Sequence, residues 1–94
     1  MKSLVFASSF NRAFKRLIKR QPELLQRIRE RLALLATDPF EPLLETHKLK
    51  GKLAGSWSCS VDYDCRIVFK FVENLENEEE EILLIDIGSH DEVY

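Results

Sequence analysis

Only two histidines occur in the 94 residues, and each stands among groups that could exchange protons with it or hold an anion beside it. His47 opens the run HKLKGK, where Lys48, Lys50 and Lys52 follow at every second position. His90 lies in the terminal IDIGSHDEVY, between Ser89 and the carboxylates of Asp91 and Glu92, with Tyr94 closing the chain. Between them, VDYDCRIVFKF sets Asp62 and Asp64 close to Arg66. Imidazole takes or gives a proton near neutral pH, and guanidinium or ammonium groups hold phosphate or carboxylate charge. These residue types therefore permit acid-base chemistry on an anionic substrate. They are equally compatible with simpler roles. The lysines can form a solvated edge that discourages sheet-to-sheet pairing. Arg66 can pair with Asp64 or Asp62 at the surface for at most about 1 kcal/mol. His90 can be hydrogen-bonded surface at the end of a strand.

Other chemistries find less support. Cys59 and Cys65 are the only cysteines, too few for a disulfide framework and without further Cys or His at zinc-finger spacing. They read as free, half-buried thiols, and neither a metal nor a cofactor is expected. No apolar run approaches the roughly 18 residues of a membrane span, and no signal-peptide core follows the basic, amphipathic start. A cytoplasmic protein without a membrane partner is the expectation. The length suits one domain over residues 1–94. Charge divides unevenly: residues 1–52 hold 12 Lys and Arg against 5 Asp and Glu, whereas residues 53–94 hold 2 against 11. Six of those eleven acids fall in ENLENEEEE at 73–81, which repels itself and reads as a solvated hairpin tip. The remainder is basic, which permits a polyanionic partner.

The elements that must position the histidines follow from periodicity. In SSFNRAFKRLIKR the apolar Phe10, Ala13, Phe14, Leu17 and Ile18 recur at three and four, with Ser8 or Ser9 available as a cap. Pro22 suits a first helical position, and Leu24, Leu25, Ile28, Leu32 and Leu35 make a second stripe that ends at TDPF. Ahead of them, KSLVFA is β-prone. Beyond Pro42 the period changes to two: Trp57, Cys59 and Val61 alternate with Ser58 and Ser60, DYD forms a turn, and Cys65, Ile67, Phe69 and Phe71 continue the apolar face. EILLIDIG is apolar enough for a central strand covered on both sides. The order β-α-α-β-β-β predicts an α+β sandwich, with two helices on one face of a small, mainly antiparallel sheet.

THKLKGKLAGSWS, DYDCRIVFKF and the closing IGSHDEVY together resemble the RelE/ParE superfamily of toxins from type II toxin-antitoxin modules, nearest its YafQ-like branch. The resemblance spans nearly the whole chain. It implies a RelE-like fold and a ribosome-dependent endoribonuclease, an mRNA interferase, that is neutralised by a cognate antitoxin. It further implies catalytic roles for His47, Asp64, His90 and Tyr94, and for Arg66 near the scissile phosphate. Lys48, Lys50 and Lys52 could add charge for RNA. The sequence departs from the family pattern in a shorter hairpin and in Ser58 and Ser60, where RelE toxins carry lysines. Its first hairpin strand therefore offers neither cation nor base. The ParE-like branch implies another class, a toxin that inhibits DNA gyrase by contact. A third is a weakened relative that keeps only antitoxin binding.

The chemistry matches the residues. Cleavage of RNA by its own 2'-hydroxyl needs a base for that proton, an acid for the leaving 5'-oxygen and positive charge at the phosphorane, and it needs no metal. His90 is the expected acid. His47 is expected as its acid-base or phosphate-contacting partner, with both histidines, Asp64, Arg66 and Tyr94 converging on one face.

Overall fold

Apolar residues at every second position can be buried only from one side of a sheet, and here that side faces two helices. The computed structural model describes residues 1–94. Strand β1 (Leu4–Phe6) leads into helices α1 (Ser8–Arg20) and α2 (Leu24–Thr37); β2 (His47–Lys48), β3 (Trp57–Asp62), β4 (Cys65–Asn74) and β5 (Glu79–Gly88) follow, and a single turn, α3 (His90–Val93), closes the chain. The strands lie in the order β1-β5-β4-β3-β2. All neighbours are antiparallel except β1 and β5. This is the expected α+β architecture.

The core sits between the layers. Phe10, Ala13 and Leu17 of α1 and Leu24, Ile28 and Leu35 of α2 pack against Cys59, Val61, Cys65, Ile67, Phe69, Ile82, Leu84 and Ile87 of the sheet. A bulge on β5 makes this set consistent: Val68 pairs Asp86 while Phe69 pairs Leu84, so Ile85 is extra. The added residue shifts the alternation and returns Ile87 to the core side with Ile82 and Leu84.

Local details depart from the sequence reading in instructive ways. Neither serine caps α1, because Ala7 occupies that position and Ser9 donates its hydroxyl to the Ile85 carbonyl, tying the helix to β5. Pro22 lies in the turn before α2, where its carbonyl accepts from the Leu25 N–H, so the helix begins at Leu24. β5 is central as expected, but Leu83 and Ile85 remain half exposed, so it is fully covered on one side only. The acidic segment forms a hairpin end, with β4 reaching Asn74 and β5 starting at Glu79. Glu80 also pairs Lys2 at 2.9 Å. Cys59 and Cys65 are buried rather than half-buried, and burial pushes both thiols up to about 12. Thiolate chemistry is thereby closed to them at neutral pH. No helix is long and apolar enough to cross a membrane.

Candidate active site on the open face of the sheet

The face of the sheet turned away from the helices carries rows of side chains set by strand register. His47 of β2 pairs Ser58 of β3, Ser58 pairs Val68 of β4, and Val68 pairs Asp86 of β5. Their neighbours Cys59, Ile67, Phe69 and Ile87 belong to the core, so this row faces the other way. One pleat along, about 6–7 Å away, lies a second row of Ser60, Arg66 and Gly88. The backbone continues from Gly88 into the terminal turn.

That turn brings the tail back over the first row. Ser89 caps α3 in a capping box, its hydroxyl accepting from the Glu92 N–H while the Glu92 carboxylate accepts from the Ser89 N–H at 2.9 Å. Arg20 of α1 donates to the same carboxylate at 3.1 Å. Held in this way, the tail lets the Tyr94 hydroxyl donate to Ser58 Oγ. Ser58 is 0% exposed, so the serine anchors the tail. The His90 ring meets the Tyr94 ring edge-on, with centroids 4.5 Å apart. The imidazole itself stays accessible, its side chain 64% exposed.

His47 is oriented from its own strand. Its Nδ1 lies 3.0 Å from the Glu45 carbonyl. A carbonyl only accepts, so Nδ1 carries the proton and Nε2 is the nitrogen left for exchange. The row therefore reads His47, Ser58 and Tyr94, with His90 against the last.

Arg66 forms no ion pair. Its Nη1 donates to the carbonyls of Asp62 at 2.7 Å and Tyr63 at 3.1 Å, and to Ser60 Oγ at 3.4 Å. The cross-hairpin ion pair with Asp64 or Asp62 does not form, because the guanidinium folds back onto neutral turn carbonyls. A cation pinned by neutral acceptors remains available to an anion.

His47, Arg66, His90 and Tyr94 thus lie on one face, whereas Asp64 and the lysines lie elsewhere. Asp64 stands at the hairpin tip, lining a cleft of about 170 Å³ with Leu17 and Leu24 of the helices and with Ser89 and Glu92. It makes no hydrogen bond to Arg66 or to either histidine. The alternation does not run through the turn, because Tyr63 and Asp64 form a two-residue loop outside both strands. Lys48 pairs Trp57 and sets its Nζ 5.4 Å from that ring, on the side of the sheet opposite His47. Lys50 and Lys52 are exposed where the edge leaves the sheet at a 3-10 turn, Gly51–Leu53, with Gly51 at φ 70°. No cluster of His, Cys, Asp and Glu has a geometry suited to a metal ion.

Sequence reasoning overlooked Ser58 as the anchor of Tyr94, and Glu92 as the clamp of the tail. The second was legible, since Ser89 and Glu92 have the spacing of a capping box. It also passed over Asp86, which ends the first row and whose carboxyl burial pushes up, against the Ile87 N–H and the Arg16 charge. The Glu92 carboxyl is held below its ordinary range by the Ser89 backbone and hydroxyl, then by Arg20. A carboxyl whose folded value is lowered stabilises above its unfolded value and loses that contribution as pH falls through the folded one. An acid titration followed by NMR should therefore release the Ser58 and Tyr94 amide shifts together. In Glu92→Ala the tail signals should already be released at neutral pH. An unchanged tail in that variant would assign the anchoring to Tyr94 alone.

Known proteins share this arrangement of strands and helices. YafQ from E. coli strain BL21(DE3) superimposes with a TM-score of 0.80 at 14% identity, covering 100% of this chain and 99% of that one. A YoeB/ParE toxin from Agrobacterium tumefaciens gives 0.74 at 23% identity over 96% of this chain and 99% of that one. A conserved hypothetical protein from Helicobacter pylori gives 0.72 at 27% identity, with both chains covered in full at 100%. No curated protein matches the sequence. The family described as bacterial toxin of type II toxin-antitoxin system, YafQ, matches residues 2–94. With that match over nearly its whole length, the chain belongs to the YafQ family of type II toxins.

Proposed function

We propose that this toxin is an endoribonuclease that cleaves mRNA on the ribosome by acid-base catalysis. The observation that carries the reading is the contiguous row from His47 through Ser58 and Tyr94 to His90, with the unpaired Arg66 one pleat away. Two proton carriers flank a position where a phosphodiester can lie beside a cation. In the reaction, a base removes the 2'-hydroxyl proton and the 2'-oxygen bonds to phosphorus. The 5'-oxygen leaves with its electron pair and takes a proton from the acid. The products are a 2',3'-cyclic phosphate and a 5'-hydroxyl. His90, accessible and braced by Tyr94, acts as the acid. His47, exposed and with Nε2 free of any hydrogen bond in the chain, serves as base or phosphate contact. Tyr94, 43% exposed, braces His90 and offers a ring face to an unstacked base.

The partner proposed for this chain is a cognate antitoxin. The E. coli DinJ-YafQ complex, with a TM-score of 0.78 at 17% identity, pairs such a fold with a second protein. The basic outer faces of α1 and α2 suit an acidic or mixed segment that folds as it binds. The lysines at 48, 50 and 52 form an edge better placed for ribosomal RNA than for the scissile phosphate.

The test is in-vitro translation with purified toxin, mapping message ends by primer extension and identifying the terminal groups. Cleavage within ribosome-bound message, ending in cyclic phosphate and 5'-hydroxyl, is the expected result. Inhibition of growth or of gyrase with intact message would replace this reading with a toxin that acts by contact.

A further inference from the structure

A second cation stands beside Arg66, on a helix that sequence reasoning assigned only to the core. The register of β3 slips between Ser60 and Asp62, leaving Val61 unmatched in the ladder. Its carbonyl accepts from Nε of Arg31 on α2 at 3.3 Å. β2 begins only at His47, opposite Ser58, and leaves this stretch of β3 uncovered, so the arginine can reach past the edge of the sheet. Bulge and turn carbonyls therefore gather two guanidinium groups, Arg31 through Val61 and Arg66 through Asp62 and Tyr63. Both charges also bear on one buried thiol, pulling against the burial that raises Cys59.

These groups line a cleft of about 390 Å³, together with Ser60, Tyr63 and the acids Glu45 and Asp62. Neither acid pairs with either arginine. Asp62 instead turns its carboxylate to the Asp64 N–H, 3.1 Å away. The Nη atoms of Arg31, and Nε and Nη2 of Arg66, have no hydrogen-bond partner in the chain. Donors oriented by neutral carbonyls, with no acid on them, suit a phosphate. Tyr63 projects from the rim, 96% exposed, as an aromatic plane with nothing on it. The cleft adjoins the catalytic row, since Glu45 holds His47 and Ser60 follows Ser58 on one face of β3.

We propose that this cleft is a nucleotide subsite for single-stranded RNA, in which Arg31 and Arg66 hold the phosphate next to the scissile one and Tyr63 stacks on its base. The choice of RNA as ligand rests on the proposed cleavage reaction. Arg31 and Tyr63 are positioning residues, because they reach the substrate away from the reacting atoms.

The experiment uses a labelled single-stranded RNA hexanucleotide with a 2'-O-methyl group at each position, which removes the attacking hydroxyl and keeps the ribose, bound to the full chain and followed by anisotropy at several salt concentrations. Arg31→Gln should weaken binding about 5–10-fold and flatten the slope of log K against log salt by about 0.7, the value for one phosphate of a single strand. Arg31→Lys should keep the slope. Tyr63→Ala should weaken binding about fivefold or more at unchanged slope. Arg27→Gln, an exposed arginine one turn earlier on α2, should leave both within twofold. Equal losses in Arg27→Gln and Arg31→Gln would reduce the effect to general charge and overturn the subsite. Parental affinity and slope in Arg31→Gln, or a parent that binds no oligonucleotide, would also overturn it. A parent that binds the analogue through Arg31 but cuts no message would support the subsite and remove the cleavage reaction. Message cutting and binding both unchanged in Arg31→Gln would do the reverse.

Discussion

Replacing His90 with alanine is expected to lower ribosome-dependent cleavage of message by about 10²–10⁴-fold, the usual worth of one proton-transfer group. Stability should barely change. The imidazole is mostly exposed, and its contacts are the Tyr94 ring and a 3.8 Å approach to Asp91. Position 90 opens α3, and alanine is tolerated there because the cap bonds come from Ser89 and Glu92. Melting temperature and circular dichroism should therefore match the parent while primer-extension products disappear. Loss of an acid used only in the transition state should appear in kcat, with little change in KM. Cleavage within a few-fold of the parent would return His90 to an ordinary surface role. Growth inhibition that persisted without cleavage would point to a toxin acting by contact.

The second large effect is expected at Arg66. Arg66→Gln should lower cleavage by about 10²–10³-fold, as for the loss of one donor aimed at a developing oxyanion. The reason lies in its surroundings: Nη1 is occupied by the carbonyls of Asp62 and Tyr63, which fix the plane of the group without neutralising it. Glutamine ends two bonds short of Nη1 and gives up those carbonyls, so the melting temperature is read beside the rate. Arg66→Lys restores charge without the planar fork and should recover part of the rate. Equal loss in the lysine and glutamine variants, with lowered melting temperatures, would mean that Arg66 acts chiefly by holding the turn. Arg66→Gln should also weaken the hexanucleotide, since the same guanidinium serves both phosphates.

The two arginines of this cleft differ in how visible they were. Arg66 stood out because it opens RIVFKF beside two acids and matches an arginine of the toxins the sequence resembles; the simpler alternative, an ion pair with those acids, did not form. Arg31 did not stand out, because nothing on a helix signals that one arginine will reach a bulge thirty residues later in the chain. Ser58 was likewise read as the polar partner in an alternation and as the replacement of a lysine, not as an anchor. Its meaning depends on where the tail lands, and that is a long-range contact between residues 58 and 94.

The sequence by itself determined what depends on local period and residue chemistry. Apolar spacing of three and four specified α1 and α2, and spacing of two specified the hairpin of β3 and β4. That same alternation assigned Cys59, Ile67 and Phe69 to one side and Ser58, Ser60 and Arg66 to the other. Burial of one face leaves a strand a single acceptable orientation, so these assignments survive folding. Helix starts were less legible, because a hydroxyl such as that of Ser9 can cap its own helix or bond a distant carbonyl, and only packing chooses between them. Tertiary structure alone decided the bulges, which add one residue and redirect everything after it: Ile85 returns Ile87 to the core, and Val61 turns a carbonyl out to Arg31. It also decided convergence. Asp64 is two residues from Arg66 in sequence yet points into a different cleft, while His47 and Tyr94, 47 residues apart, meet through Ser58 because strand pairing and a capped final turn close that distance.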